Sequence, residues 1–180
     1  MNLEFWKGKK VFITGHTGFK GSWLSLWLKN LEVELTGYSL DSSDQKSFFQ
    51  DAKIANGMNS IVGDICDLDS LKQAIIQSKP DIIIHMAAQA LVRDSYSDPI
   101  STYRTNIMGT INVFEAAREC DTVKSIINVT SDKCYENKER ELGYKEDEPM
   151  GGFDPYSSSK GCAELVTAAY RNSFFSSSSY

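Results

Sequence analysis

The sequence predicts an α/β protein in which a parallel β-sheet carries helices on both faces. Short apolar runs of strand length alternate with longer segments whose apolar residues recur at helical spacing. The strand-like runs are nearly continuous in apolar residues, as in strands that are buried on both faces. Glycine-rich and polar turns follow the ends of these runs, which is where ligands bind in such sheets.

The composition is that of an ordinary globular chain. Of 180 residues, 41% are hydrophobic and 24% are charged, which excludes wholesale disorder and fibrous structure. The net charge of −5 argues against a broad nucleic-acid-binding face. The length is compatible with one domain or with a piece of a larger protein.

The four cysteines lie far apart without a CxxC pair, and the chain has only two histidines. We therefore expect no metal site. No export-signal pattern follows Lys7, Lys9 and Lys10, and no apolar stretch approaches the length of a membrane span. With unpaired thiols, this pattern predicts a cytoplasmic protein.

The first strand is predicted at residues 11–13 and ends at a glycine turn. A helix follows, in which Trp23 and Trp27 are spaced by four and share an apolar stripe. We therefore expect both tryptophans in the core rather than as stacking platforms. Residues 34–40 are predicted to form the second strand, and residues 42–59 a surface loop with a short helix.

The middle of the chain repeats the strand and helix pattern. A weak strand is predicted at residues 60–63, and Asp67 can cap the helix that follows. Pro80 ends this helix, and residues 81–85 form the clearest strand.

Two aspartate-proline pairs open the later helices. Asp98 precedes a long helix whose apolar spacing continues to Phe114. A strand is predicted at residues 125–130, and Asp154 opens a last helix that runs to about Arg171.

The turn between the first strand and the first helix has the pattern GxxGxxG. Glycines allow a tight turn and a close approach to a pyrophosphate, and the helix N-terminus favours an anion. A plain strand-to-helix turn is the alternative. The candidate cofactor-binding residues of this turn are Gly15, His16, Thr17, Gly18, Phe19, Lys20 and Gly21.

Further candidate cofactor-binding residues follow the second, third and fourth strands. Asp41 stands twenty residues after Gly21, where a carboxylate can bind an adenosine ribose and repel a ribose phosphate. This favours NAD over NADP, although a surface aspartate in a turn is equally compatible. Asp64 and Ile65 could contact the adenine edge. Small residues after the fourth strand allow a flat cofactor to pass: Ala87, Ala88 and Gln89.

Tyr156 and Lys160 form a YxxxK pair on one face of the last helix. An ammonium group near a phenol favours the phenolate, so Tyr156 could act as a base. Alone, the pair could be a solvated helix face. It follows a glycine turn, an alternating sheet and Ser131 at the end of the fifth strand, which favours a catalytic role.

These motifs, together with Asn106 in the long helix, resemble the extended short-chain dehydrogenase/reductase family. More narrowly, the sequence resembles the CDP-glucose 4,6-dehydratases. The segments that carry the narrower resemblance are GHTGFKGSWLSLWL at residues 15–28, TSDKCYEN at residues 130–137 and PMGGFDPYSSSKGCAEL at residues 149–165.

The resemblance implies a Rossmann-type fold and NAD as a regenerated cofactor. It implies the dehydration of CDP-glucose to CDP-4-keto-6-deoxyglucose by a lyase of deoxysugar biosynthesis. In this reaction C4 is oxidised, water is lost across C5 and C6, and the hydride returns to C6. The implied partners are the nucleotide sugar and a second copy of the chain, packed through two helices that include the one from Asp98.

The resemblance also implies catalytic roles. Ser131 would hydrogen bond the 4-oxygen, and Tyr156 would be the base. Lys160 would bind the nicotinamide ribose and tune Tyr156. Asn106 would hold the long helix and a water in place, and Asp132 would protonate the departing 6-hydroxyl.

Two positions depart from the common pattern. Related dehydratases carry Glu as the C5 base where this chain has Lys133. A lysine can serve as base only if desolvation or nearby cations lower its pKa, so this role is a hypothesis. His16 replaces a small residue and either weakens NAD retention or shapes the backbone.

Family members run to roughly twice this length, so we expect an incomplete form. Residues 1–175 would be a truncated NAD-binding domain that lacks the C-terminal strands and substrate domain, and residues 176–180 a low-complexity tail. The alternatives are another nucleotide-sugar 4,6-dehydratase, a 4-epimerase, or a catalytically silent cofactor-binding fragment.

Overall fold

The computed structural model describes residues 3–41 and 46–176, so part of the predicted 42–59 loop and residues 177–180 of the predicted tail lie outside the described residues. The strands are β1 Lys10–Thr14, β2 Glu34–Ser39, β3 Asn59–Val62, β4 Ile82–His85 and β5 Ser125–Asn128. The α-helices are α1 Phe19–Asn30, α2 Phe48–Asp51, α3 Leu68–Ser78, α4 Val92–Ser97, α5 Pro99–Tyr103, α6 Gly109–Arg118 and α7 Pro155–Tyr170. Short 3-10 turns at Leu3–Trp6 and Asp132–Cys134 and π-helical turns at Arg104–Met108 and Arg171–Phe175 complete them.

All five strands pair in parallel, in the order β3-β2-β1-β4-β5. Val11 of β1 lies opposite Leu35 of β2 on one side and Ile82 of β4 on the other. The chain thus runs from β1 to β2 and β3 on one side of β1, and then crosses to β4 and β5 on its other side. This is the Rossmann-type arrangement, and the predicted parallel α/β sheet is confirmed.

The chain divides into two compact units, of which the first comprises residues 1–87 and 112–129. It contains the whole sheet. Alternate side chains of the strands point to opposite faces, so Phe12 and Ile83 enter one hydrophobic cluster while Val11 and Ile84 enter another. Helices α3 and α6 contribute to the first cluster and α1 to the second. Each large aliphatic side chain buried there stabilises the fold by about 1.5–3 kcal/mol.

The second unit comprises residues 88–111 and 130–180. The predicted helix from Asp98 begins here, because the Asp98 side chain accepts a hydrogen bond from Ser101 N at 3.0 Å and Pro99 occupies the first turn. It continues through the π-helical turn into α6. Neither the π-helical turn nor the six-residue α4 was predicted.

The prediction that Trp23 and Trp27 are core residues is wrong. Their exposed fractions are 52% and 47%, and Trp23 stacks on Phe48 with ring centroids 4.3 Å apart. The buried residues of α1 are instead the small Gly21, Ser22 and Ser25 together with Leu28. Small side chains bring α1 close to the sheet and leave the tryptophans on the outer side.

In the described part of the chain, no helix has the length and apolar character that a membrane crossing requires. All four cysteines are thiols rather than disulfides.

Candidate active site

The glycine turn after β1 is tight enough to require glycine at two positions. Gly15 has a φ of +76°, and a Cβ built there would lie 2.7 Å from the backbone nitrogen of Ala87. A Cβ at Gly21 would lie 2.1 Å from the Gly15 carbonyl oxygen. Glycine at these two positions thus lets the turn pack closely against Ala87 and against the start of α1, whose N-terminus favours an anion.

Hydroxyl groups hold this turn in place. Ser22 Oγ donates to the Gly18 carbonyl at 2.7 Å, and Thr17 Oγ1 lies 2.8 Å from Ser39 Oγ at the end of β2. Phe19 and Lys20 are exposed at the start of α1, and Gly18 before them provides no side-chain cap. The first turn of α1 therefore retains the N–H groups that bind anions.

A pocket of about 200 Å³ lies beside the turn, where β2 and β3 end. Asp41, which the sequence predicts to bind a ribose, is exposed and forms part of its wall. Apolar walls and a few polar groups are typical of pockets for nucleosides. The lining residues are His16, Thr17, Ser39, Leu40, Asp41, Phe49, Gln50, Ser60, Ile61 and Val62.

His16 is buried and lines the same pocket. Its Nε2 lies 2.7 Å from Ser60 Oγ, and its ring packs edge-on against Phe49 at 5.2 Å. A Cβ at Gly37 would lie only 2.3 Å from the imidazole, so Gly37 makes room for the ring. Burial lowers the pKa of His16 to about 4, against a smaller opposite effect of the Tyr38 backbone. The imidazole is therefore neutral at neutral pH.

Asp64 and Ile65, predicted near the adenine, do not line this pocket. The Asp64 carboxylate accepts a hydrogen bond from Cys66 N at 2.9 Å and so closes its own turn. Ile65 is buried, and its carbonyl accepts from Asn112 Nδ2 at 2.9 Å. Both residues hold the turn after β3.

Thr14 connects the ends of β1 and β4 and was missed by sequence reasoning. Its hydroxyl accepts hydrogen bonds from Met86 N and Ala87 N, each at 3.1 Å, and lies 2.6 Å from His85 Nδ1. The signal in the sequence that could have identified it is a threonine directly before the glycine turn. Thr14 places Ala87 against Gly15, at the closest approach of the two turns.

In the second unit, Asn106 organises the segment that begins with Ala88. Its Oδ1 accepts from Gln89 N at 2.9 Å, and its Nδ2 donates to Gln89 O at 3.0 Å and to Ser159 Oγ at 2.8 Å. Asn106 is buried within the π-helical turn. It therefore joins Gln89, the long helix and α7 through one side chain.

The start of α7 sets the position of Tyr156. Asp154 accepts hydrogen bonds from Ser157 N at 2.9 Å and from Ser157 Oγ at 2.6 Å, and Pro155 fills the first position. Ser159 Oγ donates to the Tyr156 carbonyl at 2.6 Å. Tyr156 is half-buried and Lys160 is buried, one turn apart on the same helix.

The 3-10 turn after β5 brings three predicted catalytic residues together. Ser131 Oγ donates to the Asp132 carboxylate at 3.1 Å and accepts from Lys133 N at 3.2 Å. Asp132 and Lys133 are both exposed. This arrangement presents a hydroxyl, a carboxylate and an amine that can reach a substrate.

Among residues 3–41 and 46–176, no group of three or more His, Cys, Asp or Glu side chains could hold a metal ion.

Comparison with known proteins gives consistent results. The family described as GDP-mannose 4,6 dehydratase matches residues 12–177. The chain is 54% identical over 180 residues to a Salmonella typhimurium protein named CDP-glucose 4,6-dehydratase, covering all of this chain and 50% of that protein. It is 29% identical over 163 residues to a UDP-glucose 4-epimerase of Mycolicibacterium smegmatis, covering 91% and 51% of the two chains.

Among solved structures, UDP-glucose 4-epimerase from Brucella ovis in complex with NAD superposes with a TM-score of 0.80 at 26% identity, over 93% of this chain and 49% of that one. A dTDP-glucose 4,6-dehydratase from Streptomyces venezuelae shares the fold, with a TM-score of 0.79 at 23% identity over 92% and 52% of the two chains. The chain spans about half the length of the curated relatives described above.

Proposed function

The chain belongs to the GDP-mannose 4,6-dehydratase family, and from this premise we propose that it serves the NAD-dependent dehydration of CDP-glucose to CDP-4-keto-6-deoxyglucose. The observation that carries the proposal is the 54% identity, along the whole chain, to the Salmonella typhimurium protein named CDP-glucose 4,6-dehydratase. The arrangement of Ser131 with Asp132, and of Tyr156 with Lys160, supports it.

The residues of the first unit fit NAD. The glycine turn and the N-terminus of α1 would receive the pyrophosphate, and the pocket beside Asp41 would receive the adenosine. A carboxylate at that wall accepts hydrogen bonds from a ribose and repels a ribose phosphate, which favours NAD over NADP. When bound, NAD would supply the hydride acceptor for C4 and the hydride donor for C6.

The first proton transfer falls to Tyr156, which would take the proton from the 4-hydroxyl. The buried Lys160 lies one turn from Tyr156 on the same helix and would hold the nicotinamide ribose. Ser131 would donate a hydrogen bond to the 4-oxygen, for which its hydroxyl must turn from Asp132 to the substrate. Asn106 would keep the long helix against α7.

The loss of water falls to Asp132 and Lys133. Asp132 would protonate the departing 6-hydroxyl, and Lys133 would remove the C5 proton. Both residues are exposed, so the substrate and whatever covers it would have to desolvate the Lys133 amine before it can act as a base.

Incubation with CDP-glucose and NAD tests the function. We expect a product with the alkaline absorbance of a 4-keto-6-deoxy sugar, and little of it from UDP-glucose or dTDP-glucose. A 4-epimer without the keto sugar would favour the 4-epimerase alternative, which needs Tyr156 and Lys160 but not Asp132 and Lys133. NAD binding without any sugar product would favour a catalytically silent cofactor-binding chain.

Replacement of Lys133 by Met tests the base at C5. We expect the variant to lose deuterium exchange at C5 while oxidation at C4 remains detectable, because only the dehydration step uses the amine. Exposed Lys138 in the same unit provides a matched control, and its Met variant should exchange normally. Normal exchange in Lys133→Met would exclude Lys133 as the base.

We also propose a homodimer in the cytoplasm. Large apolar side chains are exposed on α4, α5 and the π-helical turn, with exposed fractions of 67% at Tyr96, 80% at Ile100 and 50% at Met108. Such a surface is typical of an interface. The free cysteines fit a reducing compartment. Sedimentation equilibrium distinguishes a dimer from a monomer.

A further inference from the structure

Glu164 of α7 contacts the segment that presents the catalytic serine. It lies one helical turn beyond Lys160 and two beyond Tyr156, and its carboxylate accepts a hydrogen bond from the hydroxyl of Thr130. Thr130 directly precedes Ser131. None of the roles assigned above uses Glu164. We propose that Glu164 is a positioning residue that holds residues 130–134 in register with the helix that carries Tyr156 and Lys160.

The contact is suited to this role because both partners are half-buried. A hydrogen bond to a carboxylate is stronger than one between neutral groups and has a narrower geometry. The loss of either partner would leave the other polar group partly buried without its hydrogen bond, which is unfavourable. The pair therefore favours one position of Thr130 along α7.

A second contact brings the same segment onto α7. A Cβ at Gly161 would lie 3.2 Å from the Cys134 carbonyl oxygen, which also accepts from Gly151 N at 2.8 Å. Gly161 thus allows the backbone of the 3-10 turn to rest against the helix. Glu164, three residues further along, contacts the other end of the segment, so the two contacts together define its register.

The charge of Glu164 also reaches the 3-10 turn. Burial raises the pKa of the Cys134 thiol, and the Glu164 carboxylate raises it further. The same carboxylate adds to the raised pKa of Tyr135, after burial, Cys134 and Glu146. The direct contact of the carboxylate is with Thr130, and its charge acts on Cys134 and Tyr135 from a greater distance.

The catalytic consequence rests on the proposed function. Ser131 and Asp132 follow Thr130 directly, so a shift of Thr130 moves both side chains relative to Tyr156. A misplacement of about 1 Å at reacting groups can reduce turnover about 100-fold. Glu164 would therefore affect turnover without touching the substrate.

Hydrogen exchange of the 180-residue chain tests the positioning role without any activity. Glu164→Leu and Thr130→Val each remove one partner, whereas Glu164→Gln and Thr130→Ser keep an acceptor or a hydroxyl. The segment contains three hydrogen-bonded amides to observe. Lys133 N donates to Ser131 Oγ, Cys134 N to Ser131 O at 3.0 Å and Tyr135 N to Asp132 O at 3.2 Å. We expect faster exchange in residues 130–135 for the first two variants only, with β1 unchanged.

Unchanged exchange of residues 130–135 in Thr130→Val overturns the proposal, as does faster exchange that extends equally to β1. If Glu164→Leu does not fold, Thr130→Val with its Ser control decides alone, because it changes a single hydroxyl to a methyl group.

Turnover then tests the catalytic consequence. We expect Glu164→Leu and Thr130→Val to lower kcat about 10- to 100-fold with KM for the nucleotide sugar nearly unchanged, and the double variant to be no worse than either single one. The Gln and Ser variants should retain most of kcat. Equal kcat in all variants overturns this consequence. A wild-type chain without turnover would instead count against the proposed function, while hydrogen exchange still decides the role of Glu164.

Discussion

At the scale of single residues, Asp41 is the side chain that should decide cofactor choice. It is an exposed carboxylate on the wall of the pocket where β2 ends. Hydrogen bonds to a charged group contribute about 1.5–3 kcal/mol, which corresponds to roughly tenfold or more in affinity.

We expect Asp41→Asn to weaken NAD binding and to reduce the preference for NAD over NADP, because the variant loses the charge that repels a ribose phosphate. Titrations of both cofactors measure the two dissociation constants. Exposed Asp51 of α2 provides the control, and Asp51→Asn should leave their ratio unchanged. A ratio unchanged in Asp41→Asn would show that Asp41 is only a surface residue.

His16 gives a prediction about stability and pH. Burial lowers the pKa of His16 from 6.5 to about 4, so between these values the unfolded chain binds more protons than the folded one. The free energy of unfolding must then rise with pH across this window and fall as the solution is acidified from pH 6.5 towards pH 4.

We expect His16→Asn to lose this part of the pH dependence, because asparagine does not titrate. Urea unfolding of the wild type and of His16→Asn at pH 7 and pH 5 measures the difference between their pH dependences. Both proteins retain His85, so the comparison reports on His16. Parallel changes in the two free energies would contradict a buried, neutral His16.

Sequence reasoning was sufficient for residues whose role depends on neighbours in the chain. The spacing of Gly15 and Gly21 predicted a tight turn, and the side chains of Asp67, Asp98 and Asp154 cap their helices as predicted. It missed contacts between distant residues. The partner of His16 is Ser60, and Glu164 contacts Thr130 thirty-four residues earlier. No local pattern indicates such pairs.

At the scale of elements, the sequence predicted each strand to within about two residues, most clearly where the strand is a short apolar run between turns, as in β1 and β4. It was wrong about the buried face of α1. An apolar stripe predicts the buried face of a helix that packs at an ordinary distance from the sheet. In α1 the small residues Gly21, Ser22 and Ser25 are buried instead, which allows the helix to lie closer to the sheet. The π-helical turn at Arg104–Met108 has no sequence pattern of its own.

Asp154 is the N-cap of α7, the helix that carries Tyr156. Asp154→Ala removes both hydrogen bonds to Ser157, and loss of such a cap typically costs about 1 kcal/mol of stability. Because Tyr156 lies in the first turn, we also expect lower turnover of the nucleotide sugar. Urea unfolding and initial rates measure the two effects. Asp154→Asn keeps the cap and should retain stability; equal loss in both variants would contradict a capping role.

At the scale of the whole molecule, the order β3-β2-β1-β4-β5 explains why the phosphate turn follows β1. β1 pairs with β2 on one side and with β4 on the other. The turn after β1 therefore lies at the crevice where the order of the strands reverses. The alternation of strands and helices predicted a parallel sheet with ligand-binding turns at the ends of its strands, but not the order of those strands. It could not predict the division into two compact units, since that depends on contacts between segments far apart in the chain.

The chain contains the residues that we propose for binding NAD. It spans about half the length of the curated relatives described above, while it contains the glycine turn, Ser131, Tyr156 and Lys160. We propose that the glycine turn and the pocket beside it bind NAD, and we therefore expect the chain to bind this cofactor.

Titration of NAD into the 180-residue chain, followed by calorimetry, tests the central claim most directly. We expect saturable binding of one NAD per chain. We also expect weaker binding by Gly15→Ala, because a Cβ at this position would lie 2.7 Å from the backbone nitrogen of Ala87 and would require a strained φ of +76°. Absence of saturable NAD binding by the wild-type chain would contradict the account.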